Sequence, residues 1–80
     1  MRKQPDAFLV ALGQAVIAAR ERRGLTQEGL SFECDLDRTY ISGIERGVRN
    51  PTAKTLLRLA RALKTTPSEL FRRAERALAR

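Results

Sequence analysis

Residues 25–51 read LTQEGLSFECDLDRTYISGIERGVRNP, and this stretch decides the fold. Two short helical segments flank Asp35, Leu36 and Asp37, so the chain turns sharply between them. Thr26 is the natural N-cap of the first, because its hydroxyl can accept a hydrogen bond from a free backbone N–H in the first turn. Gln27 then opens the helix, Leu30 and Cys34 fall on its inward side, and Ser31 is small enough for a neighbouring helix to approach. Gly29 inside that helix costs about 1 kcal/mol relative to Ala. Asp37 caps the second helix, which spans 38–46 and stops at Gly47. At about 100° per residue, Ile41 and Ile44 share one face, and the opposite direction falls between Thr39 and Arg46. Ser42 and Gly43 flank that direction, giving a small, polar and basic outer face suited to the major groove of DNA. Arg38 lies on one flank of the first turn, where it reaches a base or a phosphate. Tyr40 lies on the other flank, with its ring toward the core and its hydroxyl toward the DNA backbone.

The segments on either side are also helical. Upstream, a helix over 6–23 starts at Pro5 and Asp6, carries Phe8, Leu12, Val16 and Ala19 as its inward stripe, and is left through Gly24. Arg20 is one position past the stripe and reaches another helix, whereas Arg22 and Arg23 point to solvent or DNA. Downstream, Arg49, Asn50 and Pro51 form a loop, and Thr52 caps a helix over 53–63 with an apolar stripe of Leu56, Leu59, Ala60 and Leu63. Thr66, Pro67, Ser68 and Glu69 form a capping box with Pro at the first helical position, opening a fifth helix with Leu70, Phe71, Ala74 and Leu78. The fold class is therefore all-α: a compact five-helix bundle forming one domain over 1–80, with the two-helix motif at about 26–47 and a dimerisation region at about 53–78.

Composition narrows the function classes. Eighty residues make a domain of minimal size that buries only about 60–65% of the surface of its unfolded chain, so a second subunit would add needed stability. The net charge is +7, and thirteen of the sixteen basic residues are Arg, whose planar fork suits phosphates and guanine edges. Nucleic acid is the partner class this favours. There is no His and a single Cys, Cys34, which argues against His-based acid–base catalysis, a zinc site and a disulfide framework. An enzyme is not expected, nor a cofactor or a metal, and no ligand pocket can be inferred from the sequence. Cys34 reads as a small core residue rather than a redox switch. The apolar run near the N-terminus is interrupted by Gly13 and Gln14 and follows helical spacing, so it is not a signal peptide, and no run reaches the roughly 18–20 residues needed to cross a bilayer. A cytoplasmic protein is expected.

The residues from Leu12 to Phe71 resemble the lambda-repressor-like, Cro/C1-type (XRE family) helix-turn-helix domain. The resemblance is carried by Leu25-Thr26-Gln27-Glu28, by the run Ile41-Ser42-Gly43-Ile44-Glu45-Arg46-Gly47, by Arg49-Asn50-Pro51-Thr52 and by Leu56, Leu59, Ala60 and Leu63, in that order. Within that family, LDRTYISGIERGVRNP is most similar to the controller proteins of restriction-modification systems. The resemblance implies a sequence-specific transcriptional regulator acting as a homodimer on a double-stranded DNA operator, and a contact with RNA polymerase. It also implies a structural ion pair between Arg20 and Glu45. The sequence departs from the family at Asp35, Lys64 and Thr65, where Gly, Gly and an apolar residue are usual, and at Gly29, where an acidic residue is common.

Base contacts are assigned to Arg38, Thr39, Ser42 and Arg46, with Arg to guanine and the Thr methyl to thymine as the expected pairings. Backbone contacts fall to Gln27 with its own N–H, Tyr40, Arg49 and Asn50. One helix reads only a few base pairs, so a two-fold dimer reading half-sites about 34 Å apart is expected, with Leu57 and Phe71 as its candidate interface. Three alternatives stay open at this level: an antitoxin or phage-type repressor with a protein partner, a protein-interaction module that does not read DNA, and an RNA-binding domain. One Tyr and three Phe offer little for stacking bases, which weighs against the last.

Overall fold

The computed structural model describes residues 6–79. Five helices follow in order: α1 (Ala7–Arg22), α2 (Gln27–Cys34), α3 (Arg38–Glu45), α4 (Ala53–Ala62) and α5 (Pro67–Leu78). The expected boundaries hold to within about one residue, and Pro5 lies outside the described residues. Each helix starts on a side-chain cap. Asp6 accepts from Leu9 N at 3.0 Å, Thr26 from Gly29 N at 2.9 Å, Asp37 from Thr39 N at 2.7 Å, and Thr52 and Thr66 from the N–H three residues on at 3.1 Å. Each bond satisfies a donor that has no partner within the helix. The capping box at Thr66 is only half of what its sequence suggests. Glu69 turns forward along its own helix, where its carboxylate accepts a hydrogen bond from Arg72 at 2.6 Å and forms an ion pair with Arg73 at 3.4 Å.

α1 is the central strut, packing on both α3 and α5, while α2 touches α3 and α4, and α4 touches α5. The core draws Leu12, Val16 and Ala19 from α1, Leu30 and Cys34 from α2, Ile41 and Ile44 from α3, Leu56, Leu59 and Ala60 from α4, and Leu70 and Ala74 from α5. Burial pushes the Cys34 thiol above its ordinary pKa, as suits a small core residue. The radius of gyration of 11.9 Å matches the roughly 12 Å expected for one folded unit of this length.

Helices α1, α3 and α4 end alike. The residue two beyond the cap donates back to the third-last carbonyl of the helix: Leu25 N to Arg20 O at 3.1 Å, Val48 N to Gly43 O at 2.9 Å and Thr65 N to Ala60 O at 2.9 Å. This closure requires a left-handed residue in between. Gly24 and Gly47 fill that position at φ 68° and 77°, but after α4 it is filled by Lys64 at φ 58°. A Cβ there costs about 1 kcal/mol. Lys64→Gly is accordingly expected to raise the melting temperature by about 4–8 °C, a shift thermal denaturation would detect directly.

Arg23 is not a solvent or DNA residue as its position after the α1 stripe suggests. Its Nη1 donates to Ala62 O at the end of α4 (2.6 Å) and to Glu33 of α2 (2.7 Å), so it joins three helices at their ends. Arg22 stays exposed.

Candidate nucleic-acid interface

α3 is anchored by Ile41 and Ile44, which are almost completely buried, and this fixes which side chains face outward. Arg38, Thr39 and Arg46 are exposed, and Ser42 is half-buried. Asp37 holds the first turn through Thr39 N, leaving the Thr39 side chain free. Arg46 lies along the helix with Nε 3.4 Å from Ser42 Oγ, one turn back. The four expected base-contacting residues therefore occupy one continuous strip of a single helix.

Gly43 does not belong to that exposed strip. It is buried, because Arg49 folds back over it: a Cβ at Gly43 would sit 2.5 Å from Arg49 Cγ. The Arg49 guanidinium then lies 5.8 Å from the centre of the Tyr40 ring, a cation–π arrangement. Tyr40 itself is half-buried against the core. Three residues that look independent in the sequence thus form one packed unit, which sets a positive charge beside the C-terminal half of α3. Asn50 is exposed next to it, and Pro51 is buried and closes the loop.

Behind α3, Glu45 is the buried charged residue of the core, 4% exposed. Arg20 Nε reaches its Oε2 at 2.7 Å and Arg20 Nη2 its Oε1 at 3.1 Å, the two-pronged geometry of a strong guanidinium–carboxylate pair. Hydrogen bonding to Glu45 raises the Arg20 pKa despite burial, so the guanidinium stays charged. Arg20 Nη1 also donates to Leu25 O at 2.8 Å, tying the α1–α2 connection to the same centre. Gln27 joins from the start of α2, with Nε2 2.8 Å from Glu45 Oε1, and its own Oε1 lies 3.5 Å from Arg38 Nη1. The Gln27 side chain is therefore committed within the protein, and its backbone N–H is what remains for an outside acceptor. Sequence reasoning missed the roles of Gly43 and Arg23, since each depends on where a long guanidinium-bearing side chain folds.

The chain matches the family described as helix-turn-helix over residues 16–70. It is 46% identical over 60 residues to the control protein C.BamHI of Bacillus amyloliquefaciens, covering 74% of each chain. The chain belongs to the helix-turn-helix family of controller proteins. The fold agrees with that membership: the restriction-modification controller protein C.AhdI of Aeromonas hydrophila superposes with a TM-score of 0.79 at 46% identity, covering 81% of this chain and 98% of that one. The controller protein C.Esp1396I, solved as a tetramer with its natural 35-base-pair operator, superposes at 0.80 with 34% identity over 91% of this chain and 96% of that one.

Proposed function

We propose that this chain is a sequence-specific DNA-binding regulator that acts as a homodimer on a palindromic operator and controls restriction-modification genes. The observation that carries this reading is the α3 surface, where Arg38, Thr39, Ser42 and Arg46 share one outward strip on a helix anchored by Ile41 and Ile44. In this reading the strip enters the major groove and its side chains read base edges. Phosphates are gripped on either side. At one end the first N–H groups of α2 open onto a shallow depression bounded by Arg20, Thr26, Gln27, Glu28 and Arg38, where the helix N-terminus favours an anion. At the other end stand Tyr40, Arg49 and Asn50.

Base reading and phosphate gripping respond differently to mutation. Arg46→Ala is expected to cost about 1–3 kcal/mol on the preferred sequence and to relax preference at one position. Arg49→Ala is expected to weaken all sequences alike and to flatten the salt dependence. Equal losses on preferred and random duplexes for Arg46→Ala, measured by titration at several salt concentrations, would refute the base-reading role.

The dimer surface in this reading is formed by α4 and α5. Leu57 and Phe71 remain 38% and 39% exposed, and Phe71 borders an open groove of about 450 Å³ lined by Ala53, Leu56 and Pro67. Phe71 also packs edge-on against Phe8 of α1 at 5.3 Å, so it is rigidly presented. Phe71→Asp should leave a folded, largely monomeric protein with weakened operator binding. Sedimentation showing an intact dimer would count against this surface. The same reading makes the protein a cytoplasmic regulator rather than an enzyme. It includes a contact with RNA polymerase, for which Phe32 of α2, 83% exposed, offers the most exposed large apolar side chain among the described residues. No helix among the described residues is long and apolar enough to cross a membrane.

A further inference from the structure

The turn between α2 and α3 is held from outside the motif. Asp35 ends α2 at φ 55° and ψ 47°, a left-handed conformation that a residue with a Cβ adopts only when its surroundings enforce it. The last carbonyls of a helix have no partner within it. Here a single nitrogen of α4 serves two of them: Arg58 Nη2 donates to Cys34 O at 3.0 Å and to Asp35 O at 2.8 Å. A guanidinium suits the place, since its fixed charge faces the negative end of α2 and its planar fork resists reorientation. The Asp35 carboxylate, fully exposed and 3.8 Å away, adds little. Inside the motif, the turn is otherwise tied by Ser31 Oγ donating to Leu36 O at 2.5 Å and by Leu36 N donating to Ser31 O at 3.3 Å.

α4 thus grips the turn three residues before Arg38, the first side chain of the α3 strip. We propose that Arg58 is a positioning residue for DNA reading, setting the direction in which α3 leaves the turn and hence where Arg38 and Thr39 meet the bases. Arg23 supplies the matching tie, holding Ala62 O at the end of α4 to Glu33 of α2. Leu57, beside Arg58 in sequence, belongs to the candidate dimer surface, so the helix that would meet the second subunit also fixes the turn. This rests on the reading of α3 as the DNA-reading helix.

The test uses Arg58→Met, which keeps the apolar stem and removes the donors, alongside Arg58→Lys. Binding is measured well below the unfolding temperature on a duplex that the wild-type protein selects from a random-sequence library and on a scrambled duplex of equal length. Loss of register at Arg38 and Thr39 is expected to weaken the selected duplex about tenfold and the scrambled duplex less than about twofold, with an unchanged salt slope. Arg58→Lys, which restores one donor and the charge, should recover part of the loss. Ala19→Gly in α1, which lowers stability without touching the turn, should leave both affinities unchanged. An equal loss on both duplexes with a flatter salt slope would make Arg58 a phosphate contact, and a loss equalled by Ala19→Gly would make it a stabilising cap alone. Unchanged binding by Arg58→Met also overturns the proposal. A wild-type protein that selects no sequence overturns the functional reading itself, a result distinct from each of these.

Discussion

Gly13→Ala is expected to lower the melting temperature by about 15 °C, although Ala is the better helix former by about 1 kcal/mol. The reason lies where α1 crosses α3. A Cβ at Gly13 would stand 2.5 Å from Ile44 O and 2.8 Å from Glu45 C, and closer still to Glu45 O. These are backbone atoms at the end of α3, and they cannot swing aside as a side chain tip can. The helices must separate, at a cost of about 3 kcal/mol for overpacking of this kind. Separation would also lengthen the Arg20 to Glu45 contacts and tilt the helix that carries Arg38, Thr39, Ser42 and Arg46. Binding to a preferred duplex should therefore fall even at temperatures where Gly13→Ala is still folded. A melting temperature equal to or above that of the wild type would show that the crossing has room for a methyl group.

Gly13 marks the boundary of what the sequence makes legible. The caps at Thr26, Asp37, Thr52 and Thr66 could be read in advance because a cap joins a side chain to an N–H two or three residues away. The strip on α3 could be read because helical periodicity fixes the azimuth of every side chain once Ile41 and Ile44 are known to be buried. In the sequence, Gly13 reads only as an interruption of an apolar run, since its role depends on residues 44–45. Azimuth alone places Gly43 beside the outer strip, and periodicity says nothing about Arg49 folding back over it. Arg23 and Arg58 escaped for a related reason: a long stem carries the guanidinium far from its own Cα, and the acceptors are backbone carbonyls that leave no mark in the sequence. The direction of a side chain is a local property, whereas its partner is set by how the helices cross.

The Arg20 to Glu45 pair permits a second large effect to be divided into stability and positioning. Glu45→Gln keeps the shape of the side chain but leaves the Arg20 guanidinium, whose side chain is 14% exposed, facing a neutral amide. Breaking a buried pair in this way costs about 3 kcal/mol, a large share of the roughly 4–12 kcal/mol that holds a domain of this length. Arg20→Met breaks the same pair from the other side, leaving the buried Glu45 carboxylate with only the Gln27 amide as a partner, and should cost a comparable amount in denaturant titrations. The double replacement Arg20→Met with Glu45→Leu removes both charges, and its cost should be smaller than that of either single change. It also removes the acceptor that holds Gln27, and with it the support that Gln27 gives Arg38. A stable double variant with reduced preference for the selected duplex would show that the pair positions the reading helix as well as stabilising the fold. Full preference in that variant would confine the pair to stability.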